Sequence, residues 1–349
     1  MNVKTIHGGA TDQGIPDFSE VWRLLSRFFE QQDNLVLILD ALDECKDNSL
    51  FLPRLLDLAI RKNITLLLTS RRQKRLVRYL EHVKTLEIAP EDVHQDIEFF
   101  VSFEVARNSH LSHPLVRNIV MESLLDQHNG MFLWVTLMLK ELKACISLEE
   151  VQMTLMHMPS GLEGLYSKIV NRLERSLTRQ AAEVTKNILT WVLGSARVLV
   201  MDELREVLSC QYEAQGHTLL SDGDFPYTDK DIESMCGSLI SIRHGQIQTV
   251  HQSTKNHLVG LAEVRRLGQD LSMLPTSVDT SLRLASVCLT YQEKFCKSSL
   301  VNLQMSPFDH RPKGFDIQML RANWKLLEYS FFFWIHHVLD CPINNSRGC

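Results

Sequence analysis

A parallel α/β layer followed by a mainly helical body is the fold class this sequence predicts, and three observations carry it. Residues 35–39, Leu-Val-Leu-Ile-Leu, form an aliphatic run that stops at Asp40. A second run, Ile64 to Leu68, stops at Thr69, Ser70 and Arg71. From Pro90 onward apolar residues recur at helical spacing, interrupted by one hairpin pattern near 239–250. A strand covered on both faces is apolar at every position, so both runs read as buried parallel strands. Ser49 to Ile60 supplies the crossover helix of one strand, helix, strand unit.

The first charge is tolerated only where a strand leaves the core, which sets Asp40 at a carboxyl edge. Ligands bind at that edge in open α/β sheets, and a carboxylate there holds Mg²⁺ through water. The small Ala41 leaves room beside it. Asp43 or Glu44 then orients or deprotonates an attacking water. Thr69 or Ser70 bonds a phosphate oxygen or that water, and Arg71 offers a forked donor pair to a terminal phosphate. Arg72, Lys74, Arg75 and Arg78 read as a solvated basic helix face. A polar, solvated loop after the first strand is the plain alternative for the acids.

The string Asp40-Ala41-Leu42-Asp43-Glu44-Cys45 resembles the Walker B element of the NACHT family of signal-transducing NTPases, in its fungal multidomain form. Thr69-Ser70-Arg71 resembles that family's sensor 1. The resemblance implies Asp40 as the Mg²⁺ acid, Asp43 or Glu44 as the hydrolytic acid and Arg71 as the γ-phosphate sensor, with ATP or ADP as ligand. One family feature is missing. A P-loop needs Gly-x-x-x-x-Gly-Lys-[Ser/Thr], because backbone N–H groups wrap the phosphates while the Lys neutralises them. The chain contains no Gly-Lys dipeptide, and Gly9 to Gly14 runs on into Ile15 and Pro16. Residues 1–16 therefore read as a flexible leader, and the chain as an N-terminally truncated, partial P-loop NTPase-like sheet lacking its Walker A strand. Most nucleotide affinity in such sites comes from the cradle and its helix N-terminus. Little or no ATP hydrolysis, with nucleotide bound weakly or not at all, is the expectation for the chain alone.

The next segments read as follows. Thr85 to Ile88 has the pattern of a short further strand, and Pro90-Glu91-Asp92 opens a helix with acids in its first turn. Ile97, Phe100 and Val101, then Val116, Ile119, Val120, Leu124 and Leu125, form apolar stripes. Asn129-Gly130 stops one helix, and Met131 to Leu142 forms the next, whose stripe reads as core. Gly130-Met131-Phe132-Leu133-Trp134 resembles the family element placed where other members contact adenine, with Phe132 standing in the position of their proline. Met158-Pro159-Ser160-Gly161-Leu162 breaks the chain before a helix with Leu165, Tyr166, Ile169, Val170 and Leu173 on one face.

Residues 181–259 read as a winged helix: helices near Ala182–Leu193 and Asp202–Leu208, a loop rich in Asp, Gly and Pro, a short helix at Asp229–Cys236, and a hairpin turning at His244-Gly245. Asp229, Asp231 and Glu233 on the third helix would repel phosphates, which argues for inter-domain packing over DNA reading. By resemblance, His251 after the hairpin approaches the ADP β-phosphate; a core or capping histidine is the alternative. Ser281 to Tyr291, with Leu282, Ala285 and Leu289, and Trp324 to Leu339 read as amphipathic helices of a C-terminal linker like that preceding ankyrin or other repeats. No repeat period of 30 to 45 residues is present.

The expected divisions are a leader over 1–16, a nucleotide-binding part over 17–90, a helical domain over 91–178, a winged helix over 179–260 and a helical region over 261–349. A net charge of −5 argues against a general nucleic-acid or anionic-membrane binder. No apolar segment reaches bilayer length. Eight cysteines without a CxxC pair suggest reduced, mostly buried thiols, and no histidine grouping has zinc spacing. The expectation is a cytoplasmic regulatory module whose partners are proteins, full-length NACHT relatives among them. A nucleotide-independent interaction scaffold and a Mg²⁺-dependent phosphohydrolase are the rival readings.

Overall fold

The computed structural model describes residues 18–32, 34–45, 49–214, 226–266, 273–302 and 323–340. The leader, with Gly9 to Gly14, and the Asp/Gly/Pro-rich loop at 215–225 lie outside them. The chain divides into two compact units, residues 1–87 and 88–349.

The first unit runs α1 (Phe18–Glu30), β1 (Val36–Leu39), α2 (Phe51–Lys62), β2 (Thr65–Leu68) and α3 (Lys74–Leu80). The strands pair in parallel, Val36 opposite Thr65 and Leu39 opposite Leu68. Helix α2 ends on Asn63 in left-handed geometry, φ 53°, and the N–H of Ile64 returns to the carbonyl of Ala59 at 2.9 Å. This is the expected strand, helix, strand unit.

The expected double cover is not what the described residues show. Leu37 and Leu66 pack with Leu58, Ile64 and Trp22, while Leu39 and Leu68 pack with Leu42, Leu52 and Leu76. Val36 and Ile38, on the other face, are 60% and 62% exposed. The side-chain period of two divides each strand between faces, and all the packed helices lie on one of them. The strand expected at Thr85–Ile88 is also absent: residues 84–89 join no ladder, and Leu86 and Ile88 are exposed. Extended backbone becomes a strand only beside a partner, and no described strand lies alongside.

The second unit begins with a 3₁₀ turn at Pro90–Val93, whose Asp92 carboxylate accepts the N–H of Ala89 at 2.7 Å. Then come α4 (His94–Ala106), α5 (Pro114–Gln127), α6 (Phe132–Lys143), α7 (Leu148–Met156) and α8 (Gly161–Ser176). Their predicted stripes are the core: Ile97, Val101, Val116, Val120, Leu124, Leu165, Tyr166, Ile169, Val170 and Leu173 are buried. Gly130 has φ 73°, and a Cβ there would sit 3.0 Å from the Cα of Pro90. The buried indole of Trp134 donates to the carbonyl of Pro159 at 3.1 Å, tying α6 to the breaker before α8.

Next follow α9 (Arg179–Gly194), β3 (Leu199–Val200), α10 (Met201–Ala214), α11 (Asp229–Cys236), β4 (Ile240–Arg243), β5 (Gln246–Thr249) and α12 (Gln252–Arg266). The sheet order is β3-β5-β4, antiparallel throughout. His244 and Gly245 both take left-handed φ, 52° and 73°, as a tight hairpin turn requires. All three acids on α11 serve the fold: Asp229 pairs with Arg205, Asp231 reciprocates the cap made by Thr228, and Glu233 Oε1 accepts the N–H of Ile242 at 3.4 Å.

Finally α13 (Ser277–Asn302) and α14 (Leu327–Leu339) share the core of this unit through Leu284, Cys288, Tyr291 and Tyr329. The phase expected for α13 is corrected. Leu282 and Leu289 are exposed, while Ala285 is buried as expected, together with Thr280, Leu284 and Cys288. Gly194 ends α9 against Thr280 and Leu284, so the close approach of that helix selects the inward side. Of the six described cysteines, only Cys236 and Cys288 are buried, so thiol burial is less general than expected. Among the described residues, no helix is long and apolar enough to cross a membrane.

Candidate functional site

At the end of β1 the chain turns sharply. Ala41 takes φ 56°, a left-handed geometry unusual for a residue with a Cβ, and Leu42–Glu44 form a 3₁₀ turn. The N–H of Thr69 completes the ladder to Leu39 at 2.9 Å, and the Thr69 carbonyl then accepts from Leu42 at 3.0 Å. Two successive turns of chain are thus stitched to one another just past the sheet.

Side chains finish the joint. The hydroxyl of Thr69 donates to Asp40 Oδ1 and accepts the N–H of Ala41 at 3.0 Å. Asp43 Oδ1 accepts the Arg71 N–H at 3.0 Å and lies 3.4 Å from the Ser70 hydroxyl. Its Oδ2 is 3.8 Å from Arg71 Nε. The Arg71 N–H holds the Asp43 carboxyl below its usual range against the opposing effect of burial, with Asp43's own backbone N–H, the Arg71 guanidinium and the Ser70 hydroxyl adding to the lowering. Asp40, Asp43, Thr69, Ser70 and Arg71 therefore meet on one rim. Glu44, in the same turn, is exposed.

Arg75 corrects the sequence reading of a wholly solvated basic face. Half-buried on α3, it donates to the carbonyl of Asp43 at 2.7 Å and to Gln73 Oε1 at 2.7 Å. Its place four residues after Arg71 was the available signal, but a run of basic residues hides which one turns inward.

His251 lies in the second unit, between β5 and α12. Its Nδ1 accepts the N–H of Ser253 at 3.0 Å and is 2.8 Å from Ser253 Oγ, so it caps α12. It lines a cavity of about 300 Å³ together with Arg197, Lys255 and the end of β5. Arg197 is held by both oxygens of Glu203 and stacks over Tyr329, while burial pushes the Lys255 ammonium down from its usual range.

Comparison with known proteins divides along the same lines. Residues 173–264, from the end of α8 to α12, match the winged helix domain of GPI inositol-deacylase. Residues 4–71, ending on Arg71, match the N-terminal part of nephrocystin 3. The chain is 27% identical over 334 residues to the vegetative incompatibility protein HET-E-1 of Podospora anserina, an alignment covering 89% of this chain and 23% of that protein. The chain is a relative of the fungal NACHT-type proteins. It spans about a quarter of the length of the curated relative it matches. No solved structure matches it.

For a NACHT-type chain the implied ligands are Mg²⁺ and ATP or ADP, and the rim offers a partial fit. Its donors are hard oxygens, as Mg²⁺ requires. Among the described residues, however, no three His, Cys, Asp or Glu side chains converge as a metal cage. One carboxylate acting through water is the mode that suits such a rim, since Mg²⁺ gives up its waters reluctantly. Asp40, at the strand end, has Oδ1 engaged by Thr69; Asp43 is turned inward to Arg71.

Proposed function

We propose that this chain is a regulatory module of a NACHT-type signalling protein, with the Asp40 rim as its Mg²⁺–nucleotide contact. The observation that carries the reading is the pairing of Thr69 with Asp40 across two in-register parallel strands, beside the Asp43–Arg71 joint. Similarity over 89% of the chain to HET-E-1 supports it. Asp40 would hold Mg²⁺ through water, and the ion when bound would neutralise phosphate oxygens. Thr69 orients the Asp40 carboxylate. Arg71, most of whose side chain is exposed, remains able to meet a terminal phosphate. Between the two candidate hydrolytic acids, Glu44 is the one exposed and free to meet water, while Asp43 braces the arginine turn. His251 is the proposed contact for an ADP phosphate. In such a module, nucleotide state selects between closed and open arrangements, and partners of the signalling step are proteins.

Titration of mant-ADP and mant-ATP with and without Mg²⁺ tests this. Weak, Mg²⁺-dependent binding abolished by Asp40→Ala is expected, with turnover at background. Silence at about millimolar nucleotide, a concentration that captures even ligands held by about 4 kcal/mol, would overturn the nucleotide role and leave the scaffold reading. Rapid turnover lost in Glu44→Gln would instead establish the Mg²⁺-dependent phosphohydrolase.

A further inference from the structure

Helix α12 places one lysine where nothing answers its charge. Lys255 is half-buried and lines the cavity of about 300 Å³ whose apolar lining is Val192, Val198, Leu199, Ile247 and Val250. Its own helix supplies no partner, since the positions three and four residues away are His251, Gln252, Leu258 and Val259. The cavity supplies none either: its titratable lining groups are Arg197, His251 and Lys255 itself. The carboxylate behind Arg197, that of Glu203, gives both oxygens to the guanidinium and one of them also to the N–H of Val200. Among the described residues no hydrogen bond or ion pair reaches the Lys255 ammonium.

Lys168 on α8 is the instructive contrast. It is half-buried too, but its ammonium lies 3.2 Å from the carbonyl of His157 and 3.4 Å from that of Thr154, and the Glu141 carboxylate opposes the lowering that burial causes. For Lys255 burial acts alone and pushes the ammonium toward the free amine. A neutral lysine amine in a desolvated pocket is the nucleophile of imine chemistry, and reaction there removes the buried charge. The volume lies at the lower end for ligand sites, which suits a molecule of a few carbons.

We propose that Lys255 is a covalent site for a small aldehyde. The amine nitrogen adds to the carbonyl carbon, a proton passes to the carbonyl oxygen, and the resulting carbinolamine loses water to give a neutral imine. Both amine hydrogens leave in that water, so no oxidant or further reactant is needed. Gln248, Thr249 and Gln252 line the cavity with neutral hydrogen-bonding groups able to meet the carbinolamine hydroxyl. The site is separate from the nucleotide reading and stands or falls without it.

Propionaldehyde with cyanoborohydride, applied to the full chain near neutral pH and followed by peptide mass spectrometry, measures imine formation lysine by lysine. Lys255 is expected to be alkylated several-fold faster than the exposed Lys140 and Lys230, and faster than Lys168. Its rate is expected to saturate at a lower propionaldehyde concentration than theirs and to reach half its maximum at a lower pH, and both preferences are expected to vanish in urea. Lys255→Met, which keeps the apolar stem, should remove the fast site and leave the other rates unchanged. Should that variant fail to fold, the wild-type concentration and pH profiles decide. A Lys255 rate no higher than those of Lys140 and Lys230, or one that saturates no earlier, in a chain with native circular dichroism overturns the site. Equal rates at Lys168 and Lys255 would trace the reactivity to burial alone and overturn it as well.

Discussion

Protonation of His337 should open the second unit on the acid side, and the size of the effect follows from where the ring sits. His337 on α14 is 1% exposed, and its Nε2 lies 2.9 Å from the hydroxyl of Tyr329. Tyr329 in turn accepts the N–H of Ala196 at 3.0 Å and packs edge-on against Trp191. Burial first, then the neighbouring His336, pushes the His337 imidazole down from 6.5 to about 4, with Asp340 opposing weakly. The unfolded chain therefore binds this proton more readily than the folded one. The stabilisation is complete above about pH 6.5 and is lost as the pH falls toward about 4, so stability rises with pH across this window. The full difference is about 3 kcal/mol, of which about 2 kcal/mol falls between pH 7.5 and pH 5. Urea unfolding followed by tryptophan fluorescence, which Trp191 reports from beside Tyr329, measures it. His128 and His257 are also lowered by burial and contribute in the same direction, so the decisive quantity is a difference of differences. His337→Gln keeps a polar group of similar length and should flatten the acid limb by about 2 kcal/mol between those two pH values. An acid limb equally steep in wild type and His337→Gln would refute the assignment.

Three further perturbations have signs fixed by geometry. Asp43→Ala leaves the Arg71 N–H without its acceptor and should destabilise the first unit by about 1–2 kcal/mol, with faster hydrogen exchange at Arg71, whereas Glu44→Ala should stay within about 0.5 kcal/mol. Equal costs for the two acids in urea unfolding would contradict the proposed division of roles. Gly130→Ala places a Cβ 3.0 Å from the Pro90 Cα at φ 73°, so a loss of at least about 1–2 kcal/mol is expected; an unchanged midpoint would count against the turn as described. Ala41→Gly, by contrast, relieves a left-handed φ and should stabilise by up to about 1 kcal/mol, opposite in sign to an ordinary Ala→Gly change, and a measured loss would refute the strain.

Much of this molecule could be read from its residues, and the failures have a common cause. The rim was legible because an aliphatic run can end only where it leaves apolar surroundings, and both runs end on polar side chains suited to meeting one another. The His244-Gly245 turn and the stripe Leu165–Leu173 were legible for the same reason: local geometry admits few alternatives. The one-sided cover of β1 was not legible. Val36 and Ile38 are as apolar as Leu37 and Leu39, so alternation in environment leaves no alternation in residue type. The phase of α13 was hidden because Leu282 and Leu284 are identical, and only the approach of α9 at Gly194 distinguishes them. Arg75 and the two-residue strand β3 depend on partners distant in sequence, the carbonyl of Asp43 and the backbone of Ile247. Periodicity carries no information about such partners.

The rim also limits what any single substitution there can reveal. Asp43 touches Arg71 through its backbone and its guanidinium, and Arg75 holds the carbonyl of Asp43. Removing the Asp43 carboxylate thus disturbs the arginine proposed to meet the phosphate, and a loss of nucleotide response in Asp43→Ala would not assign it a proton-transfer role. Residues that act as a unit give non-additive losses. The informative comparison is Asp43→Asn, whose amide oxygen can still accept the Arg71 N–H, set against Glu44→Gln, which leaves the joint untouched. Should turnover rise above background, retained binding in Asp43→Asn beside lost turnover in Glu44→Gln makes the brace and the acid separate residues. If Asp43→Asn abolishes turnover with binding and hydrogen exchange at Arg71 intact, the acid chemistry belongs to Asp43 and the division proposed for this rim is wrong.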